Sequence, residues 1–227
     1  NSGVREIVLL RESKHRRKKG LFIIEGCREL GLAMVSGIDI KQFYFCPEIF
    51  NSADTGSLIS SIKKSPAVIF EVNERVYSKI AFGDRREGLI AVARQPNLSL
   101  AGLKLASNPL IIVVAGIEKP GNLGAIARTI DAAGVDALIV ADSRTDVYNH
   151  NAVRASLGAL FAIAVARAES NELISWLRAN KINIVCAFPG AAKPYTSVDL
   201  KKPSAIVFGS EKEGLSRLWE DAADCRA

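Results

Sequence analysis

Residues 109–142, PLIIVVAGIEKPGNLGAIARTIDAAGVDALIVAD, decide the fold of this chain. The stretch begins with an apolar run of strand-forming residues, PLIIVVAG, and continues into NLGAIARTIDAAG, which is compatible with a helix. Gly134, a residue type suited to a helix C-terminus, precedes a second apolar run, ALIVAD. Strand, helix and strand in this order predict a βαβ unit with parallel strands.

The alternation of strands and helices continues towards the end of the chain. We predict a short helix over residues 152–160 and a strand at FAIAVA, followed by a helix at NELISWLRAN and strands at INIVCAF and SAIVFGS. Such alternation is typical of a largely parallel sheet with helices on both faces. The sequence therefore predicts an α/β domain over residues 109–227.

A second and shorter alternation occupies residues 21–94. The β-rich runs LFIIEG, IKQFYF, AVIFEV and GLIAVA are separated by helix-compatible stretches such as CRELGLAMVSG. The following QPNLSLAGLKLASN holds Pro, Gly, Ser and Asn without sustained periodicity, which is typical of a linker. We therefore predict a small α/β domain over residues 1–97 and a linker over residues 98–108.

Composition and charge narrow the class of protein. The 227 residues are 48% hydrophobic and carry a net charge of +6, most of it in the first 97 residues, which favours a polyanionic partner such as RNA. No apolar run is long enough to span a membrane. The four cysteines are widely spaced and form neither a zinc motif nor a disulfide framework. We therefore expect a cytoplasmic protein with no membrane partner.

The basic run KHRRKK, residues 14–19, is the first candidate for RNA binding. Such a run neutralises phosphates and releases counterions, which gives salt-sensitive affinity with little sequence preference. A solvated helix end or loop is the alternative interpretation. A weaker pair, Arg85 and Arg86, is explained equally well by a polar hairpin turn. The predicted phosphate-binding residues of the run are Lys14, Arg16, Arg17, Lys18 and Lys19.

Two glycine-containing turns follow buried strands and are candidates for a ligand site. In GIEKPGNLGAIAR, Asn122 either caps the helix or faces a ligand, and Arg128 is either a surface cation or reaches a polar groove. In FGSEKEGLS, Gly209 and Gly214 bracket a tight turn that carries the Glu211 carboxylate. Neither turn has the GxGxxG pattern of dinucleotide binding. Because ligands collect at the carboxyl ends of parallel strands, the pair points to one site.

A third stretch, VRASLGALFAIAV, contains Arg154 and Ser156. Tight helix packing explains Ser156, whereas Arg154 stays a candidate for substrate contact. Neither His15 nor His150 has a partner at metal-ligand spacing, so we expect no metal.

Taken together and in this order, PGNLGAIARTIDAAG, VRASLGALF and VFGSEKEGLS resemble the SpoU/TrmH family of RNA ribose methyltransferases. That family belongs to the SPOUT superfamily of knotted α/β enzymes. The upstream segments KHRRKKGLFIIEGCRELGLAM and GLIAVARQP resemble the RNA-binding substrate domain found in many members. The resemblance covers most of the chain.

The resemblance implies that the protein transfers a methyl group from S-adenosylmethionine to a ribose 2′-hydroxyl in rRNA or tRNA, with rRNA favoured. It implies catalytic roles for Asn122, Arg128 and Glu211. It implies an RNA contact for Arg154. The methyl-donor site implied by the second motif consists of Gly209, Ser210, Glu211, Gly214 and Leu215.

The resemblance also implies a trefoil-knot catalytic domain that pairs into a homodimer. The candidate dimer surface is the apolar helix face in NLGAIARTIDAAG together with Leu215, Leu218 and Trp219. The alternative interpretation is that these residues face their own sheet, the more common arrangement for a short helix in an α/β domain. The family has a third motif, an Ile-Pro-Met strand followed by a Ser-Leu-Asn helix, which completes the donor pocket. The sequence reaches Ala227 before such a segment, so we expect these residues to supply only part of that pocket.

Two other classes of protein stay open at this point. The missing third motif would suit a non-catalytic RNA-binding module or scaffold. A nucleotide-dependent oxidoreductase would need a GxGxxG turn and a clear ribose-binding acid, and the sequence offers neither.

Overall fold

A computed structural model describes residues 2–50, 53–82 and 87–227. The described chain forms two compact units. Unit 1 comprises Asn1–Pro96 and Asp146–Ala162, and unit 2 comprises Asn97–Thr145 and Ile163–Ala227. None of the described helices has the length and apolar character needed to cross a bilayer.

Helices and strands alternate along most of the described chain. Those up to residue 94 are α1 (Ser2–Leu9), α2 (Ser13–Lys19), β1 (Leu21–Glu25), α3 (Cys27–Val35), β2 (Ile40–Phe45), α4 (Ala53–Lys63), β3 (Val68–Glu71), α5 (Glu74–Ile80) and β4 (Leu89–Arg94). Those after it are β5 (Leu110–Ala115), α6 (Pro120–Ala132), β6 (Ala137–Ala141), α7 (His150–Ser156), α8 (Ala159–Ala162), β7 (Ala164–Ala168), α9 (Ser170–Ala179), β8 (Asn183–Cys186), β9 (Ser204–Phe208), α10 (Arg217–Ala222) and β10 (Cys225–Arg226).

Unit 1 is built on a four-stranded sheet in the order β1-β4-β2-β3. Strand β4 pairs antiparallel with both β1 and β2, whereas β2 and β3 are parallel. All four predicted strands are present, so the predicted small α/β domain is confirmed in its architecture. One face of the sheet packs its apolar side chains, Tyr44 and Ile90 among them, against buried residues of α1 and α5.

The segment 146–162 belongs to unit 1, although the predicted division placed it in the second domain. Its aromatic residues pack against β1: the ring centroid of Tyr148 lies 4.6 Å from that of Phe22, and the centroid of Phe161 lies 5.9 Å from it. Gly158, at φ +88°, leaves room for Leu32 of α3, which an added Cβ would meet at 2.7 Å. The apolar side chains of this segment therefore complete the core of unit 1.

Unit 2 is built on a six-stranded sheet in the order β10-β8-β9-β5-β6-β7, in which every pairing is parallel. This confirms the predicted parallel sheet. Two details differ from expectation. Leu100, in the predicted linker, is 5% exposed and belongs to the core of this unit. Strand β7 begins only at Ala164, because Phe161 is buried in α8.

Arg16 is the most buried cation among the described residues of unit 1, with 1% of its surface exposed. Its Nε donates to the Asp146 carboxylate at 2.7 Å, and its Nη1 donates to the carbonyls of Leu10 and Arg11 at 2.9 and 2.7 Å. A guanidinium suits this position because its several donors diverge in one plane. Arg16 therefore fastens the start of the segment 146–162 to the loop between α1 and α2.

We predict that Arg16→Ala lowers the free energy of unfolding by about 3 kcal/mol, since it leaves Asp146 and two carbonyls without their buried donor. Arg17, the next residue, is exposed, and Arg17→Ala is its matched control, expected to change stability by less than about 0.5 kcal/mol. Urea denaturation followed by circular dichroism measures both values. Equal stability of the two variants would contradict the assigned role of Arg16.

Candidate functional site

The two glycine-containing turns meet because β5 and β9 are neighbours in the sheet of unit 2. The strands run parallel, with Leu110 opposite Ser204 and Val114 opposite Phe208. The turn into α6 therefore leaves the same edge of the sheet as the turn that follows β9. Carboxyl ends of parallel strands are the usual place for a ligand in α/β proteins.

The turn after β9 is closed by its own backbone. Ser210 and Gly214 exchange two backbone hydrogen bonds, of 3.1 and 3.0 Å, and Gly214 adopts φ +67°. A Cβ on Gly209 would overlap the backbone of Gly214 and Leu215. As the sequence predicted, Gly209 and Gly214 bracket a tight turn, and only glycine fits at position 209.

Asn122 lies in the first turn of α6 but does not cap it. The N-cap position is Lys119, whose side chain makes no capping bond, and Pro120 begins the helix. The Asn122 side chain instead lies in the same cleft as the Glu211 carboxylate and helps to lower the pKa of that carboxyl. The capping interpretation is thus wrong, because the neighbouring turn offers Asn122 a charged partner.

An ion pair joins the same two turns. Lys119 Nζ lies 2.7 Å from Glu211 Oε2, and about two thirds of each side chain is exposed. The Lys119 ammonium holds the pKa of the Glu211 carboxyl below its usual range, with a smaller contribution from Asn122. The carboxylate in turn raises the pKa of Lys119. Lys119 was not predicted as a site residue, because nothing in the sequence distinguishes it from other surface lysines.

These residues line a cleft of about 260 Å³, which we call the polar cleft. Its walls come from the end of β5, the start of α6 and the turn after β9. Two further residues that the sequence analysis did not select, Ile126 and Phe208, form its apolar side. The predicted site residues that line the polar cleft are Asn122, Gly209, Ser210 and Glu211.

A second pocket, of about 430 Å³, opens beside the polar cleft, and we call it the apolar pocket. Phe208 lines both. The apolar pocket lies where β8 and β9 end, and the sequence analysis missed it, although FPG after the buried run INIVCA is a third strand end of the same kind. Its apolar walls include Ala187, Phe188, Val198, Leu200 and Ile206.

Three predicted site residues lie away from these two cavities. Gly214 lines a neighbouring cavity of about 220 Å³ together with Ser210. Leu215 is 7% exposed, and its side chain packs in the core of unit 2. Arg128 is exposed on α6, and its side chain makes no hydrogen bond or ion pair with any other described residue. The structure therefore does not bring Arg128 to Asn122 and Glu211.

The buried residues of α6, among them Leu123 and Ile130, share a face of the helix that Arg128 does not. The predicted dimer surface is largely internal for the same reason. Leu215 and Trp219 pack in the core of unit 2, and Trp219 Nε1 donates to Ser170 Oγ at 2.8 Å. These helix faces cover their own sheet, in agreement with the alternative interpretation of this surface. Of the three residues predicted around α10, only Leu218 is exposed, at 38%.

The predicted RNA-binding residues separate into exposed and buried ones. Arg16 is buried against Asp146, so its prediction as a phosphate contact is wrong. Arg154 is half-buried and donates to the Phe82 carbonyl at 2.6 Å. Ser156 is buried and donates to the carbonyl of Val153, in agreement with the helix-packing interpretation. The exposed residues of the run are Lys14, Arg17, Lys18 and Lys19, while Arg85 and Arg86 lie outside the described residues.

We predict that Gly209→Ala lowers the free energy of unfolding by about 1–3 kcal/mol, because the new methyl group displaces the backbone of the turn. Gly121→Ala is the matched control: a Cβ there meets nothing within 4 Å, and alanine favours the helix. Urea denaturation measures both. A Gly209→Ala variant as stable as the control would show that the turn tolerates a side chain.

Comparison with known proteins identifies the family. Residues 109–227 match the model of the SpoU rRNA Methylase family, and residues 1–91 match that of the MRM3-like substrate binding domain. A 23S rRNA (uridine(2479)-2'-O)-methyltransferase of Streptomyces viridochromogenes is 26% identical over 227 residues, which cover 95% of this chain and 77% of that protein.

Solved structures agree with this result. An AdoMet-bound rRNA methyltransferase from Sinorhizobium meliloti superposes with a TM-score of 0.89 at 28% identity, over all of this chain and 85% of that one. An RNA 2'-O ribose methyltransferase superposes with a TM-score of 0.85 at 34% identity, over all of this chain and 86% of that one. The two matched family models together cover almost all of both sheets, and the first of them covers both strand-end turns. The chain belongs to the SpoU rRNA methylase family.

Proposed function

We propose that this protein transfers the methyl group of S-adenosylmethionine to the ribose 2′-hydroxyl of a nucleotide in ribosomal RNA. The observation that carries the proposal is the polar cleft, where Asn122 and Glu211 meet next to the apolar pocket. The names of the similar proteins, a 23S rRNA 2'-O-methyltransferase and an AdoMet-bound rRNA methyltransferase, support it.

The residues of the apolar pocket fit the methyl donor. Its volume of about 430 Å³ lies within the range of small-molecule sites. A flat adenine ring and a methylene chain need apolar walls, which Phe188, Val198 and Ile206 provide. Phe208 lines both cavities, so a molecule bound in the apolar pocket lies next to the polar groups of the polar cleft. When bound, S-adenosylmethionine supplies a methyl group on a sulfonium, a leaving group that needs no acid.

The polar cleft holds the groups that can orient a ribose. Asn122 offers an amide, Glu211 a carboxylate and Lys119 an ammonium, and Glu211 interacts with both of the other groups. An orienting site lowers the barrier chiefly by holding the hydroxyl in line with the methyl group, which is a proximity contribution. Lys119 also places a positive charge where a ribose phosphate would lie.

Arg128 acts as an electrostatic and orienting group in this proposal, because the very high pKa of a guanidinium makes it a poor base in water. Its exposed position on α6 requires that the RNA, or a second copy of the chain, bring Arg128 into the reaction. The homodimer therefore stays part of the proposal. The trefoil knot and the cytoplasmic location also stay predictions.

We predict that Arg128→Ala in the full-length protein lowers methyl transfer to RNA at least 100-fold and leaves binding of S-adenosylmethionine unchanged. Arg217, whose side chain is 90% exposed on α10, provides the matched control variant Arg217→Ala. Tritium transfer from labelled donor measures turnover, and calorimetry measures donor affinity. Near-normal turnover would remove Arg128 from the catalytic set.

The same measurements separate the enzyme from its competitor, a non-catalytic RNA-binding module. A module of that kind would bind RNA without turnover in the wild-type protein. Mapping of 2′-O-methyl positions in total RNA, with and without the gene, would then show no difference.

Helix α2 supplies the proposed electrostatic contact with RNA. Arg17, Lys18 and Lys19 are exposed, and each phosphate that they neutralise releases counterions. Deleting residues 1–97 is a poor test, because it would remove the partners of the segment 146–162 from unit 1. A charge change on the helix surface leaves that packing intact.

We predict that replacing Arg17, Lys18 and Lys19 by Gln weakens RNA binding and lowers the slope of log K against log salt by about 2–3, since each lost phosphate contact contributes nearly one. The control has the same net charge: Lys181, Lys201 and Lys202, all exposed in unit 2, replaced by Gln. Fluorescence anisotropy at several salt concentrations gives both slopes. An unchanged slope in the α2 variant would refute the contact.

A further inference from the structure

An exposed strip of unit 1 has no assigned role. It crosses the sheet from the end of α2 to the outer strand β3, and we define it by Lys19, Gln42, Val68 and Phe70. Gln42 stands opposite Val68 in the pairing of β2 with β3. Lys19 and Gln42 line one small cavity, of about 100 Å³. The strip is therefore continuous from a basic helix to an apolar strand edge.

The apolar end of the strip is open to solvent. Phe70 is 39% exposed and Val68 is 55% exposed, on a strand that has a neighbour on only one side. One face of the Phe70 ring stacks on Tyr44, with centroids 4.8 Å apart and an interplanar angle of 14°. The Tyr44 ring thus covers one face of the Phe70 ring and restricts its orientation. A rigid, exposed aromatic ring is a surface on which a nucleic-acid base stacks.

The polar end of the strip is preorganised by the same tyrosine. The Tyr44 hydroxyl donates to Gln42 Oε1 at 3.0 Å, which leaves the Gln42 amide nitrogen as a donor. His15 lies beside Lys19 in the wall of the cavity. Glu6 lines it as well and faces Lys19 Nζ at 3.5 Å, a surface pair that costs little to break.

We propose that this strip binds one unstacked nucleotide of the RNA, with its base on Phe70 and its phosphate at Lys19. The inference rests on the proposed function. It adds a site for single-stranded RNA, which lies in unit 1. Charge favours this occupant: α2 exposes Lys14, Arg17, Lys18 and Lys19 at the polar end. A protein strand added to β3 would use the strand edge but would have no need of these cations.

The test compares Phe70→Leu and Phe70→Trp in the full-length protein. Leucine keeps apolar contact with Tyr44 but removes the flat ring, whereas tryptophan keeps a ring. The probes are a labelled single-stranded oligouridine and a duplex RNA of equal length, whose bases are already stacked. Val35→Ala is the control, because Val35 is an exposed apolar residue of the same unit, at 88%.

Phe70→Leu is expected to weaken binding of the oligouridine about tenfold and to leave duplex binding unchanged, since stacking on one base contributes about 1–3 kcal/mol. Phe70→Trp and Val35→Ala are expected to bind both probes within about twofold of the wild type. Thermal unfolding checks that each variant is folded.

Three results would overturn the inference. If Phe70→Leu binds the oligouridine as well as the wild type does, and the wild type transfers methyl groups normally, the strip is not an RNA site. The proposed function is then unaffected. A wild type that neither binds RNA nor transfers methyl groups removes the proposed function as well. A change in molecular mass by light scattering in Phe70→Leu, with unchanged RNA affinity, assigns the strip to a protein partner.

Discussion

The pairing of β5 with β9 is the constraint on which the site depends. The two strands are far apart in sequence, and the hydrogen bonds between them, with Val114 opposite Phe208, bring their following turns to one edge. The Lys119–Glu211 ion pair and the electrostatic interaction of Asn122 with Glu211 both cross between these turns. A shift of the pairing by one residue would move one turn along the strand by about 3.4 Å and break both contacts. Backbone register thus sets the chemistry of the cleft.

The sequence predicted most of the elements because the buried strands are short apolar runs, and it predicted both turns because β5 and β9 are each followed by glycine, a local signal. It did not predict which strands are neighbours, since pairing depends on contacts between distant segments. The errors at Arg16 and Asn122 have one cause. A charged or polar residue type is visible in the sequence, whereas the partner that the fold brings next to it appears only after folding. Lys119 and the apolar pocket were missed for the same reason.

Unit 1 uses several of its charged side chains inside the fold. Glu25 is 5% exposed, and burial raises the pKa of its carboxyl to about 7, although it accepts a hydrogen bond from the Phe82 amide. Burial, with Arg16 and other nearby cations, lowers the pKa of His150 to about 4. Arg154 binds the Phe82 carbonyl. A basic composition therefore overstates the charge available to a polyanion, because some of the cations hold the core together.

The return of the segment 146–162 to unit 1 has a consequence for biosynthesis. The ribosome synthesises β1 to β4 well before α7 and α8. Phe22 is therefore without its packing partners Tyr148 and Phe161 during that interval. Half of unit 2 must be translated before unit 1 can close, so the two units cannot fold strictly one after the other. Uncovered apolar surface on a nascent sheet invites aggregation. The growing chain therefore keeps this apolar surface uncovered until residue 162 has emerged from the exit tunnel.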